Sequence, residues 1–327
     1  MAAGGGPALT PAQRQVADGL FAPGEPRPTF DEDLAAGLAA RLDAELGPAT
    51  AGLEAPLVVT KAALARVHAC EAHYQVDSFR WNPAVAAGTV THRAVDLAMG
   101  WGGAPSALDL VEGAYERLTE GEGDLADYLR ELSAPEEADV RTRANAAVVA
   151  FLECWPMPLP RRWQPRTEAR LGAVVAGAGV VLKGKVDLAL GVARGSTARV
   201  LVVDLKTGEG ARGHLDDLRF YALVQALRTG VPPFRVATYY LASGRFQHED
   251  VTLDSLEAAV LRTVEGARRM LELEAGRPAR RRAGPQCRWC LLRPECPEAA
   301  EAEAAEAGAG GRGPRATAED DWPDAPG

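Results

Sequence analysis

Apolar residues recur every three to four positions over 31–47 (DEDLAAGLAARLDAELG) and 61–75, which predicts two amphipathic helices. A further helix is expected to open at His92 and run to about 99. Residues 107–153 mix apolar and charged positions at helical spacing and predict a helical subdomain over about 93–160, ahead of any sheet. From 166 to 206 the pattern changes to three strand-like runs. The last two, VLKGKVDLALGV and ARVLVVDLKTG, are joined by a Gly/Ser turn. A helix over 214–228, a strand over 233–243 and a long helix over 253–275 follow. This order predicts an α/β chain with its core over about 166–245. Residues 1–28 are rich in Ala, Gly and Pro and are expected to be poorly ordered, apart from a short helix over 11–20. The acidic tail, 298–327, is low in complexity from about 300 and is expected to be disordered.

Each of the last two runs carries one acid, Asp187 and Asp204. Lys206 lies two positions beyond Asp204, so on a strand both side chains leave the same face. Two carboxylates beside an ammonium can hold a hard divalent cation and polarise a water for attack on phosphate. The competing reading is a hairpin with an ordinary salt bridge. Near the C-terminus, Cys287, Cys290 and Cys296 form a C-x2-C-x5-C cluster in the segment 283–297. A fourth thiolate would have to come from Cys70 or Cys154, and Cys154 reads as a core thiol closing an apolar helix. Structural zinc usually uses two short-spaced pairs, and the chain has one. His68 and His73, near Cys70, are alternative ligands; solvated helix-surface histidines are the simpler reading.

Composition changes the picture in three ways. The apolar content of 47% supports a substantial core, and no apolar run approaches the ~20 residues of a membrane span. Of 36 basic residues only four are lysines (Lys61, Lys183, Lys185, Lys206) and 32 are arginines, so a lysine retained at 206 hints that a compact ammonium is needed there. The net charge of −9 is concentrated at the end: residues 298–327 hold eight acids against two arginines, −6, which leaves −3 elsewhere. Two basic patches, Arg280, Arg281 and Arg282 with Arg277 ahead of the cysteines, and Arg161, Arg162 and Arg166 around Trp163, suit phosphate-backbone contact. Ordinary solvated arginines are the alternative. Five cysteines and no export signal argue against a secreted disulfide scaffold and for a cytoplasmic protein.

Gly184-Lys185-Val186-Asp187-Leu188-Ala189 and Val203-Asp204-Leu205-Lys206-Thr207-Gly208 closely resemble two strand motifs, G-R/K-I/V-D-x-I/V/L and I/V-D-Y/L/F-K-T-G. These belong to the RecB-like branch of the PD-(D/E)XK nuclease superfamily. Gly88-Thr89-Val90-Thr91-His92 resembles the branch's G-x-x-x-H, Glu168 stands where an acid precedes the strands, and DLRFY from Asp217 to Tyr221 resembles Q-L-x-x-Y with Asp for Gln. The segment carrying Leu64, Cys70 and Tyr74 resembles an N-terminal helix of the family, departing at Val67 and at Glu71, where the family has an aromatic and Pro.

The resemblance implies a restriction-endonuclease-like core, a mixed central sheet flanked by helices. One nuclease domain would span 29–297, with an inserted N-terminal helical subdomain and an iron–sulfur-stapled C-terminus. It implies Mg²⁺ or Mn²⁺ held by His92, Asp187, Asp204 and the backbone carbonyl of Leu205, with Lys206 activating the water. Glu168 and Tyr221 would support the site, core packing being the alternative for Tyr221. Cys70, Cys287, Cys290 and Cys296 match the 4Fe–4S arrangement of AddB-type nuclease domains and CRISPR-associated exonucleases, with zinc as the competing occupant. The implied activity is a DNA exonuclease on single strands or ends, in repair, recombination or CRISPR adaptation; an inactive DNA-binding or assembly subunit is the alternative. No G-x-x-x-x-G-K-S/T segment is present, so unwinding would fall to a separate helicase partner.

Overall fold

A computed structural model describes residues 9–76, 79–101, 103, 105–157, 159, 163–208 and 214–308. Six strands form one mixed sheet: β1 (Leu57–Thr60), β2 (Arg166–Val175), β3 (Val180–Leu190), β4 (Leu201–Lys206), β5 (Arg235–Tyr240) and β6 (Arg245–Asp250). β3 organises it. One edge of β3 pairs antiparallel with β2 along nearly its whole length. Its other edge takes β1, parallel, at Val180–Lys183 and β4, antiparallel, at Leu188–Leu190. β4 then pairs parallel with β5, and β5 antiparallel with β6.

Helices cover both faces because the central strands are apolar on both. On one side α2 (Leu34–Thr50), α3 (Lys61–Ala69), α9 (His214–Thr229) and α10 (Leu253–Glu274) bury Leu42, Leu64, Leu223 and Val260 against Leu182 and Val202. On the other, α5 (Pro83–Gly100) and α8 (Ala134–Cys154) cover Leu188, Leu201 and Val203. There Trp155 lies face to face with Phe151 and edge-on to Tyr239, centroids 5.4 and 5.1 Å apart, contacts worth about 0.5–1.5 kcal/mol each beyond their burial. α6 (Ala107–Thr119) and α7 (Asp124–Glu131) complete a helical unit with α5 and α8 around Val90, Leu110 and Val148.

Several boundaries differ from expectation. Residues 9–28 are not uniformly loose: Thr10 and Gln13 form a capping box, α1 (Pro11–Val16) runs into a π-turn over Ala17–Phe21, and Val16, Leu20 and Phe21 are buried beside Trp155 and Trp163. Residues 1–8 lie outside the described residues. His92 does not open a helix. Asn82, whose side chain accepts from Val85 N–H, with Pro83 at the first turn, starts α5 nine residues earlier. The helical unit accordingly begins at 83, and β1 precedes it. The expected helix over 61–75 breaks at Cys70, whose extended backbone separates α3 from α4 (Glu71–Tyr74). The start of the tail is helical: α11 (Pro297–Gly308) follows the cysteines, and residues 309–327 lie outside the described residues. No described helix is long and apolar enough to cross a membrane.

Candidate active site

Pairing of β3 with β4 stops at Leu188↔Val203, one residue short of Asp187 and Asp204. The two strands part there, and the acids stand in the fork. Leu205 N–H, freed from the ladder, donates to Asp187 Oδ2 at 2.7 Å. Because N–H and C=O of one strand residue point to the same edge, the Leu205 carbonyl also faces the fork. On the other edge of β3, the pairs Thr167↔Leu188 and Ala169↔Val186 set Glu168 opposite Asp187. Glu168 has φ +49°, a left-handed conformation rarely adopted by a non-glycine residue in a strand and found where surrounding structure enforces it. Lys185 Nζ reaches its carboxylate at 2.6 Å.

From the opposite layer α5 brings His92, whose Nδ1 lies 3.3 Å from Asp187 Oδ1. Ligand atoms of His92, Glu168 and Asp187 fall within 4.8 Å of one another. Burial alone would lower the His92 pKa, but the Asp187 carboxylate outweighs it and the imidazole titrates above its ordinary 6.5. Burial would likewise raise Asp187; His92, Lys206 and Lys61 hold it below the usual carboxylate range.

Asp204 stands apart from that trio. Its side chain is almost fully buried, with Lys206 Nζ 3.1 Å from Oδ2 and Lys61 Nζ 3.2 Å from Oδ1. Lys61 is the first residue of α3, placed there because Thr60 caps the helix where β1 ends, beside the gap on β3. It also lies 4.0 Å from Asp217 and 5.4 Å from the Tyr221 ring centroid. Tyr221 donates its hydroxyl to the Lys185 carbonyl at 2.8 Å, and its ring occupies the space a Cβ at Gly184 would need, 2.8 Å away. A Cβ at Gly88 would come within 3.2 Å of Thr207 Oγ1. The glycines of both motifs thus mark close approaches of helices to the fork.

Residues 59–297 match the family model of the PD-(D/E)XK nuclease superfamily. The chain belongs to this superfamily. Solved structures similar to this nuclease chain include SSO0001, at 14% identity and TM-score 0.34 over 79% of this chain and 94% of that one. Another is a protein from Eubacterium rectale named a putative exonuclease, at 12% identity and TM-score 0.42 over 82% and 93%. No curated protein matches the sequence.

The nuclease fold gathers His92, Glu168, Asp187, Asp204, Lys206 and Tyr221 around one fork. Lys61 is the member that sequence reasoning passed over. In the folded chain three of its four lysines, Lys61, Lys185 and Lys206, surround these acids. At the other end of α3, Cys70, Cys287, Cys290 and Cys296 line one small cavity together with His73. Cys70 Sγ accepts from Arg282 N–H at 3.4 Å. Cys154 closes α8, half-buried against the core, and burial pushes its thiol pKa up. His68 bonds the Arg262 carbonyl at 3.0 Å.

Of the expected basic patches, Arg282 donates to the carbonyls of His68 and Ala69, and Arg281 to that of Glu295. Both therefore fasten the C-terminal segment, and Arg280, Arg281 and Arg282 are all exposed. Trp163 is buried, Arg166 donates to the Gly191 carbonyl, and Arg161 and Arg162 lie outside the described residues.

Proposed function

We propose that the chain is a divalent-metal-dependent deoxyribonuclease of the RecB-like branch, an exonuclease acting on single-stranded DNA or DNA ends. Service in repair, recombination or CRISPR adaptation, alongside a separate helicase or adaptation proteins in the cytoplasm, fits that chemistry. The observation that carries the reading is the fork itself: an imidazole and two carboxylates within 4.8 Å, with the Asp204–Lys206 pair against them. An oxygen-rich set with one imidazole suits Mg²⁺ or Mn²⁺. His92, Glu168 and Asp187 would hold the ion, with the Leu205 carbonyl facing the fork, while Asp204, also expected as a ligand, holds Lys61 and Lys206 on its two oxygens. When bound, such an ion supplies Lewis acidity toward the phosphate and lowers the pKa of a coordinated water.

The protein groups do the rest. Lys206 Nζ, oriented by Asp204, is placed to hold the attacking water and then to offset charge on the phosphoryl oxygens. Tyr221 fixes the backbone of β3 through the Lys185 carbonyl, and Lys185 steadies Glu168. Arg280 offers a cation toward the DNA backbone, with Arg281 and Arg282 adding positive potential while tethered.

The cysteine cavity supports a 4Fe–4S cluster as a structural staple. Buried His73 Nδ1, which lacks a hydrogen-bond partner among the described residues, lines the same cavity and leaves a polar contact open to an occupant.

The test is digestion of end-labelled single-stranded DNA by anaerobically purified protein with Mg²⁺ or Mn²⁺, with chelator, and beside Lys206→Ala. Metal-dependent cleavage that falls ~10²-fold or more in the variant is expected. A folded, metal-loaded protein that cleaves no DNA substrate would instead favour an inactive DNA-binding subunit.

A further inference from the structure

Asp204 is gripped from both sides by ammonium groups, Lys206 on Oδ2 and Lys61 on Oδ1, and only Lys206 belongs to the strand that carries the acid. Lys61 arrives from α3, with a side chain about 10% exposed and the electron-rich Tyr221 ring nearby. An ammonium at hydrogen-bond distance from a buried carboxylate oxygen stands where a cation bridging Asp204 and Asp217 would otherwise stand. Resting on the nuclease reading above, we infer that Lys61 fills the second-cation position of the site, so the centre works with a single divalent ion at His92, Glu168 and Asp187. Lys61 is a positioning residue: it acts through Asp204, whose other oxygen orients Lys206.

Charge balance points the same way. Glu168, Asp187, Asp204 and Asp217 bring four negative charges among the described residues; Lys61, Lys185 and Lys206 bring three positive ones. Over these seven groups alone, one divalent ion brings the sum to +1. A second ion would leave it at +3. That excess would have to accumulate in a partly buried fork where like charges repel strongly. Without Lys61 the same groups sum to 0 with one ion and to +2 with two, and Asp204 loses the ammonium on its Oδ1.

The experiment counts Mn²⁺ bound to the full-length chain by electron paramagnetic resonance and follows cleavage of labelled DNA against Mn²⁺ concentration. Wild type is expected to bind one ion and to show first-order metal dependence. Lys61→Met, checked for folding by its melting transition, is expected to bind a second, weaker ion and to show second-order dependence. Lys61→Arg, which keeps the charge, should return to one. A wild type that cleaves DNA but binds two ions overturns the inference and leaves the nuclease reading standing. A folded Lys61→Met that still binds one ion, or a Lys61→Arg that binds two, overturns it as well. A wild type that neither binds Mn²⁺ nor cleaves overturns both.

Discussion

Gly184 and Tyr221 stand 37 residues apart, and neither makes sense without the other. The ring fills the place of the missing Cβ while its hydroxyl fastens the next carbonyl of β3. Gly184→Ala should therefore lower stability by about 1–3 kcal/mol, since a ring held by its own hydrogen bond cannot step aside. The double variant with Tyr221→Leu should cost less than the sum of the two, measured by denaturant unfolding. Strict additivity would show that the contact is not what excludes a side chain at 184. At His92 the expectation concerns protons. Its imidazole is held above its ordinary 6.5, and only the neutral ring can ligate. Mn²⁺ affinity should thus begin to fall, on acidification, at a pH above 6.5, whereas His92→Asn should flatten that limb of the profile. Spacing alone puts Asp204 and Lys206 on one face, whereas Gly184, Tyr221 and His92 were picked out only through the family resemblance. Lys61 was not legible, because nothing in its local sequence announces that β1 ends beside the fork.

At the scale of elements, legibility followed the strength of the burial signal. The long strands β3 and β4 and the helix α10 have marked apolar patterns and lie close to where the sequence predicts them. β6, RFQHED, is an edge strand exposed along most of its length, so no buried face wrote itself into the pattern. β1 is four residues long and merges into a helical signal. α4 shows how a departure from a family pattern can carry structure. Glu71, where the related pattern has Pro, is buried; it receives both terminal nitrogens of Arg277 at 2.9 and 3.0 Å and the N–H of Arg280 at 2.8 Å. The Arg277 hydrogen bonds outweigh burial and hold its pKa below the ordinary 4.5. A depressed carboxylate contributes stability above 4.5 and loses it as pH falls through the lowered folded value. Protection factors of the amides across 277–296, corrected for the intrinsic exchange rate, should therefore fall on acidification within that window. Glu71→Gln should show the faster exchange already at neutral pH, and unchanged exchange there would mean that the clamp holds nothing.

On the scale of the whole molecule, α3 joins two centres: Lys61 at its first residue touches Asp204, and Cys70 just past its last lines the cysteine cavity. Cys287, Cys290 and Cys296 arrive more than 200 residues later, in or beside two short 3₁₀ turns that bury little apolar surface. The Glu71 clamp and the Arg282 contacts hold that segment, and on the proposed reading a metal group bound by four thiolates would also close the loop between residues 70 and 296. Removing one ligand should then act at a distance. If the proposed iron–sulfur cluster fills the cavity, Cys296→Ser is expected to bleach its visible absorbance, lower the melting temperature by several degrees, and weaken cleavage through α3 rather than through any contact with DNA. Cys154→Ser, at the end of α8 and outside the cavity, should leave the absorbance intact. If Cys296→Ser instead kept full cleavage and the wild-type melting temperature, the C-terminal segment would be held by the Glu71 clamp and the Arg282 contacts alone. The two ends of α3 would then be mechanically independent.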